Sequence, residues 1–566
     1  MFPRLTNPSG LRCGLNPGIH NLPAGFSYRV IMAAAAGINR TWDVWGHALT
    51  DFHGKRRPSN KADVSLQYLG YWTDNGATYY YHYDTSKGYE GTLVALKRRY
   101  DSLHIPIHYI QLDSWWYGKG YDNPDGTYAQ EKKRIPELPE GSWNRFGGLL
   151  QYEPPKDLFP DGLRGFHDST GLPLMTHNRW ISRESPYRSD YEISGIGATD
   201  PRWWDTIIRR ISSWGVRIYE QDWLDRIYKY STEFSTTTTA GKAFMDGMAA
   251  ACKRNILTMQ YCMALPRHYL QGGAHYTNLT SIRVSGDRFE KRKWKEFLYG
   301  SRLASALGIW PWCDVFMSSE TPNILLATLS AGVVGIGDSA DSENLQNIFR
   351  AVRSDGMIVK PDAPIIPVDR SYSDDLDGRG VRIAMTHTDW GTLLKTVYMF
   401  AYADSAVHDE VRVKAPEAGI DGKAYVYDYF SGTGAEIDSV TPFRILGGSE
   451  PWSYHIVAPI TKSGVAFIGD TGKFVTCGKA RIAKLVEIAG GIRGTVLLAR
   501  GEGMVTLCGY SPRVVDIQAE GGTMSDRTYD SSAHLFRFGF RAKENLRYRM
   551  RDGEDVAEIQ VTIRVR

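Results

Sequence analysis

Between residues 62 and 355 the chain repeats one pattern eight times: a short apolar run, then a stretch with helical spacing. The runs fall at 68–72, 107–112, 172–176, 216–219, 256–261, 281–284, 307–312 and 333–336. Runs of this length, apolar on both faces, read as strands of a parallel sheet covered by helices. The intervening segments supply the helices: Leu93, Leu96, Tyr100 and Leu103 recur on one face, as do Trp204, Ile207, Ile208 and Ile211, and Phe244, Met248 and Ala251. Eight is the strand count that closes a (β/α)8 TIM barrel. A doubly wound open sheet is the competing architecture, and no G-x-G-x-x-G follows a first strand to support it.

The strand ends carry the chemistry. Six runs lead into a carboxylate: Asp74, Asp113, Asp222, Asp287, Asp314 and Asp338. The third leads into His177, Asn178 and Arg179. All strands of such a barrel end on one face, so these groups are expected to converge. Convergent carboxylates with few lysines suit a ligand rich in paired hydroxyls, because carboxylates accept hydrogen bonds. A metal is the rival ligand, but histidines are few and no ligand spacing fits a known metal motif, so the sequence predicts no metal and no cofactor. For each acid a bland reading stands beside the functional one: Asp222 could cap a helix, Asp287 could pair with Arg283 or Arg288, and Asp74 could serve the turn at Asn75-Gly76. The long segment 117–160, rich in Gly and Pro, reads as an excursion over the barrel mouth.

Several blocks resemble, in order, those of the α-galactosidases and raffinose synthases, a group that includes seed imbibition proteins and alkaline α-galactosidases (glycoside hydrolase family 36 in the broad sense, clan D). Leu112-Asp113-Ser114-Trp115-Trp116 resembles the family's Asp-Asp-Gly-Trp. Asp222 falls on the Asp of its Lys-x-Asp block, and Arg283 to Phe289 on its Arg-Val-x-Asp-Asp-Phe block. Trp312 to Phe316 resembles Asp-Trp-Asp-Met-Phe, and Ser330 to Ser339 resembles Ser-Gly-Gly-Pro-Val-Tyr-Val-Ser-Asp-Ser.

The resemblance implies a retaining α-glycoside hydrolase acting on α-galactosides. Asp222 would be the nucleophile and Asp287 the general acid/base, with Asp225 the fallback nucleophile. Asp74, Asp113, Trp115, Trp116, His177, Arg179, Glu220, Arg283, Trp312, Asp314 and Asp338 are the expected substrate contacts. A raffinose synthase-like transglycosidase and a non-catalytic carbohydrate-binding protein are the alternatives. Two departures stand out: Glu220 occupies the position of the family's Lys, which touches sugar hydroxyls in relatives, and Gly286 stands where the family often has an acid.

The flanks differ from the barrel. From about 361 to 566 helical spacing nearly vanishes, and short alternating runs such as Phe536, Phe538, Phe540 and Ile559, Val561, Ile563, Val565 are separated by turn signals such as Gly447-Gly448 and Gly521-Gly522. This predicts a C-terminal antiparallel β-sandwich. Residues 1–61 form an N-terminal arm or the remnant of a β-domain, with Phe26, Tyr28, Val30 and Met32 alternating like a strand. The barrel spans 62–360. A net charge of +4 over 566 residues, without a dense basic block, argues against nucleic acid as a partner. Six scattered cysteines, no basic start followed by a long apolar run, and no membrane-length apolar stretch predict a cytoplasmic protein off the membrane.

Overall fold

A computed structural model describes all residues except 1–3, 8–9, 13, 129–146, 377–379, 392–393, 404–410, 447–449 and 552–553. Part of the mouth excursion and the Gly447-Gly448 turn therefore lie outside the described residues. The eight predicted runs form eight parallel strands: β1 Gly70–Trp72, β2 Tyr109–Leu112, β3 Leu174–Asn178, β4 Val216–Gln221, β5 Thr258–Tyr261, β6 Leu279–Arg283, β7 Trp310–Trp312 and β8 Gly335–Ile336. They pair in the order β7-β6-β5-β4-β3-β2-β1-β8. A parallel bridge from Phe316 to Ile336 joins the two ends of that order. The fold is a (β/α)8 barrel followed by antiparallel sheets.

Each strand is followed by a helix that packs on the outside: α1 Gly88–Ser102, α2 Gly162–Thr170, α3 Pro201–Ser213, α4 Ala240–Arg254, α5 Pro266–His275, α6 Trp294–Ala306, α7 Thr321–Leu329 and α8 Leu345–Ala351. The apolar face read from the sequence in α3 is buried throughout (Trp204, Ile207, Ile208, Ile211). Asp200 caps this helix by accepting from the Arg202 N–H, with Pro201 in the first turn.

Residues two apart on a strand face the same way, and this places the site. The inward columns run Trp72/Asp74, Tyr109/Gln111/Asp113, Met175/His177/Arg179, Ile218/Glu220/Asp222 and Trp310/Trp312/Asp314. Their lower members make a dry plug: Leu66, Trp72, Tyr109, Met175, Ile218, Trp310 and Trp312 are all buried together. The Trp72 indole donates to the Tyr109 hydroxyl at 2.8 Å and lies 5.0 Å from the Trp312 ring. A middle ring is polar, with Gln111 donating to Glu220 (3.0 Å) and Ser281 to Gln260 (2.9 Å). The uppermost members are the acids.

The C-terminal region is built of antiparallel sheets, as expected. It holds a six-stranded antiparallel sheet and, beyond it, a four-stranded and a five-stranded sheet. In the strand Lys395–Ala403 the alternation divides the two environments: Tyr398, Phe400 and Tyr402 belong to the same core as the barrel helices, while Val397, Met399 and Ala401 line a second core. Phe536, Phe538 and Phe540 alternate as predicted, and join Ile559, Val561 and Ile563 in the core between the last two sheets.

The N-terminal expectation needs correction. Phe26, Tyr28, Val30 and Met32 form no strand and are 36–79% exposed. Alternation makes a strand only where a partner edge supplies hydrogen bonds, and these residues join none of the described sheets, Phe26 donating instead to the nearby Pro23 carbonyl in a local turn. Elsewhere in this segment Arg4–Asn7 pairs antiparallel with Gly10–Arg12, and a helix, Ile38–Phe52, packs on α6. Gly46 lets the two backbones meet, since a Cβ there would lie 2.1 Å from the Ala306 carbonyl oxygen. Asp43 pairs with Arg302 of α6 at 2.6 Å.

Candidate active site

The acids ending β1, β2, β4, β6 and β7 meet at one end of the barrel, over the aromatic plug. Asp222, directly after β4, has its two carboxylate oxygens held by different donors. Oδ1 accepts from the Trp223 N–H at 2.6 Å, and Oδ2 from His177 Nε2 at 3.1 Å. Trp223 has φ 59°, in the left-handed region that a bulky residue enters only at a cost. Burial acts to raise the pKa of Asp222, but the His177 hydrogen bond and charge, with Arg283, overcome it and hold the group well below the usual carboxylate range.

His177 is 2% exposed. Its Nδ1 meets the Tyr117 hydroxyl at 3.0 Å, and Asp113 lies 4.0 Å from Nε2. Burial acts to lower the imidazole's pKa, while Asp113 and Asp222 more than offset that and raise it.

Asp287 sits higher, with its side chain 52% exposed. Oδ1 accepts from Arg283 Nη1 (2.8 Å), and Oδ2 from Asn75 Nδ2 (2.9 Å). Arg283 Nη1 also donates to Asp314 Oδ2 at 2.5 Å. The guanidinium therefore bridges Asp287 and Asp314, and its charge also reaches Asp222. Asp314 is fully buried; burial first, with Asp287 adding to it, pushes the group up to about 7 despite Arg283.

Two acids keep an unused face. Glu220, 1% exposed, accepts from Gln111 through Oε2, while Oε1 has no partner. Burial, reinforced by Asp113 and Asp222, pushes Glu220 up to about 8. Asp74 accepts from the Asn75 N–H through Oδ1, and its buried Oδ2 has no partner. Burial, then Asp314, Asp113 and Glu220, raise its pKa well above the ordinary value. An orphaned buried oxygen costs about 1–3 kcal/mol, and a bound hydroxyl would relieve that cost at either acid.

The remaining expected contacts divide. Asp113 belongs to the cluster: its carboxylate accepts from the Ser114 N–H at 2.5 Å and lies near His177. Arg179 lies beside it, with its guanidinium 5.1 Å from the Trp180 ring and 5.6 Å from the Trp223 ring, and Nη1 donates to the Gly147 carbonyl.

Trp115, Trp116 and Trp312 offer no exposed face. Trp115 stacks 3.6 Å from Tyr89 and donates to Thr73 Oγ1, and Trp116 packs edge-on against Tyr117 and Tyr152. Trp312 is part of the plug. Aromatic faces able to stack on a sugar must be open at one side, and these are 0–1% exposed. Asp338 is likewise removed from the cluster, because both its oxygens accept from the Ser318 N–H and one also from the Ser318 hydroxyl. Asp225, in the first turn of the helix Leu224–Tyr230, has Oδ1 on the Arg226 N–H.

Several residues at the site escaped the sequence reading: Asn75 on Asp287, Gln111 on Glu220, Tyr117 on His177, and Cys262, whose thiol side chain lies against Asp222. The two-residue step back from Asp113 would have found Gln111. Asn75 was hidden by its resemblance to a turn residue.

Among the described residues no group of three His, Cys, Asp or Glu side chains is arranged to hold a metal ion. No described helix is long and apolar enough to cross a membrane. The described cysteines, Cys252, Cys262, Cys313, Cys477 and Cys508, are unpaired and buried.

No family model matches the chain, and no curated protein sequence matches it. Solved structures do align. A GH27 β-L-arabinopyranosidase from Geobacillus stearothermophilus shares 12% identity, with 70% of this chain and 97% of that one covered and a TM-score of 0.48. An α-galactosidase from Saccharomyces cerevisiae shares 13% identity over 71% and 99% of the chains, with a TM-score of 0.46. An α-galactosidase from Lactobacillus brevis shares 11% over 75% and 59%, with a TM-score of 0.47.

Proposed function

We propose that this protein is a retaining α-glycoside hydrolase, with α-galactosides its first candidate substrates. The observation that carries the reading is the state of Asp222. It is an acid at a barrel strand end, held ionised by His177 and Arg283, among acids that keep unpartnered oxygens. An ionised carboxylate is what a glycosidase nucleophile must be.

In this reading Asp222 attacks the anomeric carbon and the glycosidic C–O bond breaks. Its electron pair stays with the leaving oxygen, which takes a proton from Asp287. Water, deprotonated by Asp287, then cleaves the glycosyl ester. In the ligand-free site Asp287 accepts one hydrogen bond on each oxygen, from Arg283 and from Asn75, which leaves lone pairs free for that proton. Asp74, Asp113 and Glu220 would take the sugar hydroxyls. A sugar acceptor in place of water would make the same machinery a transglycosidase.

The test is a panel of aryl α- and β-glycosides. Release from an α-galactoside, lost in Asp222→Ala, supports the whole reading. Release from another α-glycoside alone keeps the mechanism and discards galactose, with Glu220 the first residue to suspect. Release from none, with tight binding of a free sugar, favours a binding protein.

A further inference from the structure

His177 was expected to touch substrate, but its position leaves it no edge to do so. Both ring nitrogens are engaged, Nδ1 by the Tyr117 hydroxyl at 3.0 Å and Nε2 by Asp222 Oδ2 at 3.1 Å, and the side chain is 2% exposed. The Asp222 carboxylate can only accept, so Nε2 carries the proton in either charge state of the ring. The tyrosine hydroxyl accommodates both states, donating to a neutral Nδ1 or accepting from a protonated one. We infer that His177 is a positioning residue for the nucleophile: clamped by Tyr117, its Nε2–H fixes the Asp222 carboxylate in its orientation and keeps it charged. The inference rests on the assignment of Asp222 proposed above.

The strand register adds to the argument. His177 is paired across the sheet with Glu220, two residues before Asp222. That position holds an acid that burial keeps protonated near neutral pH, so no cation stands beside the nucleophile on its own strand. The neighbouring strand supplies one instead. The charged and titratable groups facing the imidazole are Asp222, Asp113 at 4.0 Å, Glu220 and the Tyr117 phenol. On its other side Asp222 feels Arg283. With three acids around it and Arg283 occupied by Asp287 and Asp314, the imidazole is the basic group that bonds Asp222 directly, beside the Trp223 N–H and the Cys262 side chain.

Two variants and two readouts test this on an activated aryl glycoside that the protein cleaves. His177→Ala removes donor and charge; His177→Gln keeps an N–H near the Nε2 position and removes the charge. The expected result is a fall in kcat/KM of about 10²–10³-fold for Ala and about tenfold for Gln, carried by kcat, with KM little changed. The acidic limb of the pH profile should move to higher pH in both, because Asp222 then protonates more easily. Tyr117→Phe should show the same shift in smaller measure.

A His177→Ala enzyme with wild-type kcat and acidic limb, while Asp222→Ala is dead, overturns the positioning role and leaves the nucleophile in place. A rise in KM alone also overturns it, by making His177 a substrate contact. Turnover retained in Asp222→Ala takes both readings down. Should the Ala variant not fold, the acidic limb of the Gln variant decides.

Discussion

Two clusters of buried charge lie in this molecule, and they are built on opposite terms. At the junction of barrel and C-terminal sheets, Arg481 is 1% exposed; it pairs with Asp470 at 2.9 Å and with Glu502, and donates to the Leu497 carbonyl at 2.6 Å. Nearby, Lys473 is capped by the Phe349 and Val352 carbonyls, and Arg353 by Asp355 and the Ala480 carbonyl. Three cations stand with three acids here, although Arg481 Nε makes an ion pair and no hydrogen bond, and Glu502 is pulled down to about 2, burial being outweighed by Arg481. At the barrel mouth acids outnumber bases. Glu220 and Asp314 are pushed up, and Asp74 and Glu220 keep orphaned oxygens. A buried pair that is complete serves the fold. Buried acids left incomplete are a cost to the fold, and such costs gather at functional sites.

The contrast is sharpest where substitutions separate activity from stability. Asp222→Ala should leave the protein folded and lower kcat/KM by at least about 10⁴-fold, read on an aryl glycoside beside a melting curve. Retained turnover would dissolve the distinction between the clusters and move the nucleophile to Asp225. Asp287→Ala should come next. Glycosides with poor leaving groups should slow by about 10²–10⁴-fold and activated aryl glycosides by much less, since only the former need a proton. Equal losses on both substrates would end the acid/base assignment.

The junction should behave in reverse. Glu502→Gln leaves Arg481 short of one counter-charge and should remove about 3 kcal/mol of stability, with kcat of the folded enzyme unchanged. The wild-type contribution has a definite pH window. The folded pKa of Glu502 lies below the ordinary carboxylate value of 4.5, so its stabilisation is complete above about pH 4.5 and is lost as pH falls towards about 2. Urea midpoints at pH 6 and pH 3 would show the difference between wild type and variant shrinking. A difference that persists at pH 3 would mean that the charge of Glu502 is not what stabilises.

How much of this was legible in the sequence depends on range. The eight strands were, because a strand buried on both faces is a continuous apolar run regardless of its neighbours. Their order followed, since a parallel βα repeat has few ways to close. The roles of the acids were legible only in part. Asp222 and Asp338 look alike in sequence, each ending a strand, but one meets His177 across the mouth and the other is consumed by Ser318 twenty residues away. Nothing local announces such partners. Because Trp115 and Trp116 follow Asp113, one of them reads as a ring to stack on the sugar and the other as core, but Tyr89 and Tyr152 come from distant segments and cover both. The alternation at Phe26 to Met32 misled for a related reason, since none of the described strands lies beside it in a sheet.

The smallest expected effect lies where the two terms meet, at Glu220. Burial raises its folded pKa to about 8 from the ordinary 4.5. The folded state therefore holds a proton that the unfolded state releases, and stability falls as pH rises between those values. Glu220→Gln keeps the shape and the Gln111 contact and can never ionise. It should stabilise the protein by about 1–3 kcal/mol above pH 8, with the advantage fading towards pH 4.5. The same variant should weaken substrate binding by about tenfold if the Glu220 Oε1 takes a sugar hydroxyl as a neutral acid, because an amide matches that group in shape but not in hydrogen-bonding pattern. A variant that gains stability and also loses affinity would place one residue on both sides of the comparison, as a strained group held for its ligand. A gain in stability with unchanged affinity would make Glu220 an uncompensated acid with no share in recognition. No gain at any pH would mean that the cluster accommodates the charge, and the contrast with the junction would then rest on Asp74 and Asp314.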